Sequence, residues 1–155
     1  MDLTLGKRAD YLVRAVLDLA RHHGHGRRKT AEIAAEMQIP ITYLPQLLAE
    51  LVRSGIARSL AGRRGGYELV RDPGEVSLLE VIEVADGTLG SADCILRAGL
   101  CRWEEVCAIH TPWIRAQEAF RDSLGATTFA QVAAIDAALN GSDDAGAPPR
   151  PAMPR

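Results

Sequence analysis

All three cysteines of this 155-residue chain fall in one stretch, "CILRAGLCRWEEVCAIH", which runs from Cys94 to His110. The candidate ligands Cys94, Cys101, Cys107 and His110 are separated by six, five and two residues. Thiolates are soft ligands suited to zinc or to iron–sulfur clusters, and imidazole suits either. Gly99 lets the segment fold so that three sulfurs converge. The Thr111-Pro112 pair just beyond it predicts a helix start, whose N-terminus favours an anionic site. There is no Cys-x-x-Cys pair and no ferredoxin-like run, so the spacing leaves the bound group open. A structural zinc held by three cysteines and one histidine fits as well as a cluster does. Three unrelated buried thiols are the plain alternative, disfavoured because all three lie within fourteen residues. A cysteine enzyme using Cys107 with His110 as base is disfavoured too. Two intervening residues before a proline-started helix give that pair poor geometry, and the chain is read as no enzyme.

The elements that must position this stretch are mostly helical. Hydrophobic residues make up 47% of the chain, charged residues 25% and aromatics only 5%, the balance of one soluble domain rich in helix formers. No apolar run reaches the length of a membrane span, and the first residues lack a signal-peptide pattern. A cytoplasmic protein with no membrane partner is expected. In that compartment disulfides are rare, and an odd cysteine count argues against a disulfide framework.

The net charge of −2 hides an asymmetry. Residues 1–75 carry twelve Lys/Arg against nine Asp/Glu, a balance of +3, and residues 76–155 carry six against eleven, a balance of −5. A basic half joined to an acidic half permits a local DNA-binding face without a high isoelectric point.

Apolar residues Tyr11, Leu12, Ala15, Val16, Leu19 and Ala20 recur at helical spacing and predict a first helix over about residues 6–22. "HHGHGRRK" breaks it; His22, His23 and His25 are read as a solvated loop rather than a metal site. Thr30 is placed as the cap of a short second helix, which Pro40 stops. A third helix is placed from Thr42, with Leu44, Leu47, Leu48 and Leu51 on one side, Pro45 in its first turn and Gly55 closing it. Two short helices across a tight turn are the helix-turn-helix pattern.

Then "GIARSLAGRRGGYELVRDP" reads as strand Ile56–Leu60, a turn, and strand Tyr67–Val70. Its tip, Arg63 and Arg64 beside Gly65-Gly66, has the make-up of a DNA-binding wing. Glycines allow close backbone approach to the duplex, and arginines can enter the minor groove or meet phosphates. Ser77 and Glu80 form a capping box for a fourth helix that Gly87 ends. A helix over 111–124 is apolar on more than one side, as expected of a helix that packs on its copy in a dimer. A last helix capped by Thr127 or Thr128 uses Phe129, Val132 and Ile135. The fold class is mostly α with a small β-hairpin: a winged helix-turn-helix plus a long dimerisation helix. Its expected divisions are 1–87 for DNA binding, 88–110 for the cysteine loop, 111–139 for dimerisation and terminal helices, and a disordered tail over 140–155.

In this order, "LTLGKRADYLVRAVLDLA", "IPITYLPQLLAELVRSGIARSLAGRRGGYELVRDP", "SLLEVIEVADG" and three cysteines, the chain resembles the winged-helix iron–sulfur regulators of the IscR, NsrR and RirA type, the Rrf family, over residues 1–135. The resemblance implies a homodimer on a palindromic double-stranded operator, usually repressing. It also implies a 2Fe-2S or 4Fe-4S cluster on Cys94, Cys101 and Cys107 that senses iron, redox state, nitric oxide or cluster supply. The holder of the fourth position differs within the family. His110 matches the IscR-like place and is preferred. Asp10 matches the NsrR-like acid that reaches across from the partner subunit. Thr42, Tyr43 and Gln46 carry over as residues facing the major groove or phosphates, Gln46 able to read an adenine edge. Pro45 departs from relatives with a polar or charged side chain there. Arg63 and Arg64 carry over as wing arginines, with Arg8, Arg53 and Arg58 as further phosphate candidates.

Overall fold

The computed structural model describes residues 4–88, 96 and 100–141. In chain order it contains α1 (Lys7–Arg21), α2 (Thr30–Met37), α3 (Leu44–Arg53), β1 (Ala57–Leu60), β2 (Gly66–Leu69), a 3-10 turn (Pro73–Glu75), α4 (Leu78–Asp86), α5 (His110–Ala126) and α6 (Phe129–Gly141). None of these helices is long and apolar enough to cross a membrane.

α1 is the centre. Its apolar stripe, Ala9, Leu12, Ala15, Val16 and Leu19, is buried and meets α2, α3, α4, α6 and β2. Facing residues include Ile33 of α2, Leu44, Leu47, Leu48 and Leu51 of α3, and Val81 of α4, all within one hydrophobic cluster. β1 and β2 form an antiparallel hairpin in which Arg58 faces Glu68 and Leu60 faces Gly66. Arg28, ahead of α2, adds a one-residue third edge to this hairpin by exchanging backbone hydrogen bonds with Tyr67 at 2.9 and 2.8 Å.

Several boundaries move for local reasons. Thr30 is the first residue of α2, not its cap. The Glu32 carboxylate accepts from the Lys29 N–H at 2.8 Å and takes the place of a capping hydroxyl. α2 ends because Gln38 adopts a left-handed conformation (φ 53°, ψ 42°), two residues before Pro40. Thr42 and Tyr43 lie in the turn ahead of α3, because the N–H groups of Tyr43 and Leu44 both bond the Pro40 carbonyl. Gly55 does close α3 in the left-handed region, with φ 78°. Ser77 caps α4 through a bond from the Glu80 N–H at 3.1 Å, and Gly87 ends it with φ 80°. Glu80's carboxylate pairs with Arg71 instead of reaching back to complete a box.

α5 starts one residue earlier than Thr111, at His110, and Pro112 sits in its first turn, where no intrahelical N–H bond is lost. It runs on through Gly125, where Thr127 then leaves helical geometry. Thr128 caps α6 reciprocally with Gln131. α6 returns to the core: Phe129 is wholly buried and its N–H bonds the Val76 carbonyl at 2.9 Å, while the Leu78 N–H bonds Thr127. The terminal helix therefore closes the winged helix. Ile135, expected to pack, is 59% exposed. α6 also carries Asn140 and Gly141, the first two residues of the expected tail; the remainder lies outside the described residues.

Candidate functional site

The head expected to dock on DNA is the start of α3 and the turn before it. The four leucines of α3 hold one side of the helix against α1, which leaves Thr42, Pro45 and Gln46 exposed on the other. Tyr43 behaves differently. Its ring is half-buried and meets Tyr11 edge-on, with centroids 6.0 Å apart, so it pins the turn to α1. Arg53 is exposed in the last turn of α3.

At the wing tip, Arg63 and Arg64 are exposed and make no ion pair among the described residues. Arg58 is exposed but pairs across the hairpin with Glu68 at 2.9 Å, and Glu68 also takes Arg27 at 3.1 Å. The glycines beside the tip have an internal reason to be there. A Cβ on Gly65 would lie 2.2 Å from the Leu60 carbonyl, and one on Gly66 would lie 2.6 Å from the Arg28 carbonyl. Close approach at these two positions is approach of the wing to itself and to residue 28.

Residue 28 is the part of the site that sequence reasoning passed over as solvated loop. Arg28 sends a two-pronged pair of bonds to the wholly buried Asp18 of α1, at 2.9 and 3.0 Å. Those bonds push the Arg28 pKa above its ordinary value, more than burial pulls it down. One residue thus fixes the wing to α1 by backbone and side chain together. The available signal was Asp18 itself, an acid inside the apolar stripe of α1 that must find a buried partner. His22 sits nearby with Nδ1 2.9 Å from the Asp18 carbonyl, and His23 and His25 are exposed.

Arg8, a phosphate candidate, is exposed and already engaged within the chain. Its guanidinium donates to Glu50 of α3 at 2.9 and 3.1 Å and to the Ala85 carbonyl of α4 at 2.8 Å. Glu50 is buried, so the ion pair holds α1, α3 and the end of α4 together, while the Arg8 side chain stays 44% exposed.

The fourth helix feeds the cysteine segment, and α5 leaves it. Cys94 lies outside the described residues; Cys101 and Cys107 are half-buried free thiols. Cys107 is in a turn, its N–H bonded to the Trp103 carbonyl at 2.8 Å, and its own carbonyl accepts from the His110 N–H at 3.2 Å. His110, the first residue of α5, is half-buried, with Nε2 3.8 Å from a Glu104 carboxylate oxygen. Cys107 and His110 are thus one turn apart at a helix N-terminus. Among the described residues no three Cys, His, Asp or Glu side chains are grouped to hold a metal. Asp10, half-exposed on α1, is held by Arg14 at 2.6 and 2.9 Å.

Comparison with known proteins places this arrangement. The model of the Rrf2 family, described as iron-dependent transcriptional regulator, matches residues 5–135. The HTH-type transcriptional regulator IscR of Xenorhabdus nematophila is 30% identical over 141 residues, covering 91% of this chain and 85% of that protein. A putative HTH-type transcriptional regulator of Mycobacterium tuberculosis is 34% identical over 131 residues, covering 84% and 81%. Among solved structures, CymR, the global cysteine regulator of B. subtilis, superposes with a TM-score of 0.72 at 27% identity, over 86% of this chain and 98% of that one. T. potens IscR superposes with a TM-score of 0.68 at 26% identity, over 96% and 94%.

Proposed function

We propose that this chain, which belongs to the Rrf2 family of transcriptional regulators, is a homodimeric DNA-binding repressor whose operator affinity follows the state of an iron–sulfur cluster. The DNA-binding and regulatory part of that statement is common to its relatives; the cluster, the dimer and the palindromic operator are our reading. The observation that carries it is the half-buried pair Cys107 and His110, one turn apart where the cysteine segment enters α5.

In this reading Cys94, Cys101, Cys107 and His110 hold the cluster. Free thiols and an imidazole at a helix N-terminus fit an anionic group of soft iron. When bound, the cluster supplies a centre that changes with redox state, iron supply or nitric oxide. Asp10 is the weaker choice for the fourth position, because Arg14 already occupies both of its oxygens.

The chain's own residues connect this segment to the reading head. Arg121 of α5 pairs with Glu83 of α4 at 2.7 Å, and Arg8 joins the end of α4 to Glu50 on α3. A shift of the segment between α4 and α5 therefore bears on α3 through two ion pairs. On DNA, α3 lies in the major groove with Thr42 and Gln46 facing base edges, and Arg63 and Arg64 carry the wing to the minor groove or phosphates. Arg53 meets a phosphate, and Arg58 does so only by giving up Glu68.

A cluster-free regulator, with a structural zinc or none, is the second reading; the chain superposes on CymR, titled a global cysteine regulator, about as well as on IscR. Anaerobic native mass spectrometry of the purified protein, with iron and sulfide counted per subunit, separates them. Two irons with two sulfides support a cluster held with His110, and four of each promote Asp10. A single zinc or no metal removes the sensor and leaves the regulator.

A further inference from the structure

The docking head carries a specificity that its polar residues do not account for. Ile41, in the turn before α3, is 56% exposed, although it is a large apolar side chain on the surface expected to meet DNA. Exposed Pro45 follows it four residues on, and exposed Thr42 and Gln46 are its neighbours on the same side. The whole stretch from Gln38 to Ala49 contains no Asp, Glu, Lys or Arg. Guanine is read in the major groove mainly by Arg or Lys at O6 and N7, and cytosine by Asp or Glu at N4. This head has neither kind of reader. Its exposed polar groups are the amides of Gln38 and Gln46, of the kind suited to adenine, and the Thr42 hydroxyl; beside them stand apolar Ile41 and Pro45, and the apolar group that the major groove offers is the 5-methyl of thymine.

We propose that Ile41 and Pro45 form an apolar contact for thymine 5-methyl groups, so that each half-site presents A·T pairs to α3, with Gln46 on an adenine. The inference rests on the reading that α3 lies in the major groove. A guanine or cytosine opposite Ile41 would put a desolvated polar edge against a side chain that cannot bond it, and is rejected for that reason. The wing is consistent with this choice, because arginines enter A·T-rich minor grooves most readily, where the groove is narrow and its potential most negative.

The test uses the full chain, purified anaerobically, on duplexes that it selects from a random library. Each thymine of the selected half-site is then replaced by deoxyuridine, which removes only the methyl group. Loss of one buried methyl contact corresponds to about 0.8 kcal/mol, or roughly a four-fold weaker Kd. That loss is expected at one or two thymines for the unaltered protein and at none of the same positions for Ile41→Ala and Pro45→Ala together. Both side chains are exposed, so the melting temperature should move only by the small effect of losing a proline in the first turn of α3, and measuring it keeps folding out of the comparison. Selected half-sites with G·C pairs facing α3 overturn the proposal, as does a uridine series that is neutral throughout. A Gln46→Ala variant separates the two levels. If it weakens binding while uridine does nothing, the methyl contact alone is wrong. If neither it nor the Ile41 variant alters binding, α3 is not the reading head and both readings fall.

Discussion

From α1 to α4, the apolar stripes face one another around α1, and the two buried acids, Asp18 and Glu50, each have an arginine. α5, across the cysteine segment, is seventeen residues long and has no buried residue. Trp103, Val106, Ile109 and Phe120 are all at least 41% exposed on this side. The first region, closed by Phe129 of α6, has a filled core within one chain, and Arg28 and Arg8 tie its wing and α3 to α1. The second presents half-buried thiols and apolar side chains that are exposed among the described residues. In the proposed function, a regulator divided in this way would keep its DNA geometry in the rigid part and leave the responsive part dependent on what binds it.

The sharpest way to break that contrast is at Arg28. Removing it takes both guanidinium bonds from the wholly buried Asp18 and leaves only the His22 imidazole, 3.7 Å away, beside the carboxylate; breaking a buried pair in this way costs about 3–5 kcal/mol by precedent. Arg28→Ala should therefore lose most of the protein's stability in urea unfolding. Arg28→Lys should recover only part of it, since a single ammonium cannot make the two-pronged contact. Cys107→Ser, in protein freed of metal, should change stability by less than about 0.5 kcal/mol, as expected of a site without a packed environment. Comparable losses for Arg28→Ala and Cys107→Ser would end the distinction between a rigid and a responsive half.

A smaller effect is expected inside the wing. Gly66 has φ 141° and no room for a Cβ against the Arg28 carbonyl, whereas Gly62, φ 101°, has open space around it. Gly66→Ala should cost about 1–3 kcal/mol and detach the wing from residue 28. Gly62→Ala should cost about 1 kcal/mol from backbone strain alone. Thermal unfolding ranks the two; backbone amide exchange at Tyr67 reports the detachment.

The rigid half was largely legible in the sequence. Periodic leucines, Gly55, Gly87 and the Arg-Arg-Gly-Gly tip are local signals, and they gave the helices and the hairpin with small boundary errors. Long-range polar pairs were not legible. Arg8 and Arg63 look alike in sequence and both are exposed, yet one is bonded to Glu50, forty-two residues away, and the other makes no ion pair among the described residues. Arg28 was missed for the same reason, because its partner lies on a helix the sequence shows only as apolar. Ile41 escaped because an apolar residue beside a tight turn is ordinarily counted towards a core. The cysteine stretch was legible as a set of ligand types, and Cys107 with His110 is where the fold brings two of them to one helix turn. Cys94 lies outside the described residues, so convergence of the three sulfurs stays with the proposal.

On the responsive side, Phe120→Asp tests whether the exposed face of α5 is covered by a second copy. The side chain is 41% exposed in one subunit, so the substitution should change monomer stability by less than about 0.5 kcal/mol. In a dimer it would bury an unpaired carboxylate. Sedimentation should then show self-association weakened by at least about ten-fold, equivalent to about 1.4 kcal/mol. Unchanged association would place the dimer contact elsewhere.

The gentlest test falls on the wing tip, and it returns to the rigid half from its outer edge. Arg63 and Arg64 have no partner among the described residues, so Arg63→Ala and Arg64→Ala remove no internal contact and should leave the melting temperature unchanged. Each phosphate contact contributes close to one unit to the slope of log affinity against log salt. Each variant should lower that slope by about 1, with binding weakened almost evenly across operator sequences. An arginine inserted in a narrow minor groove would behave otherwise: its removal would weaken A·T-rich sites most and flatten sequence preference beyond the bases that α3 faces. Titrations at several salt concentrations, on operators that differ only in the flanking steps, decide which of the two contacts each arginine makes.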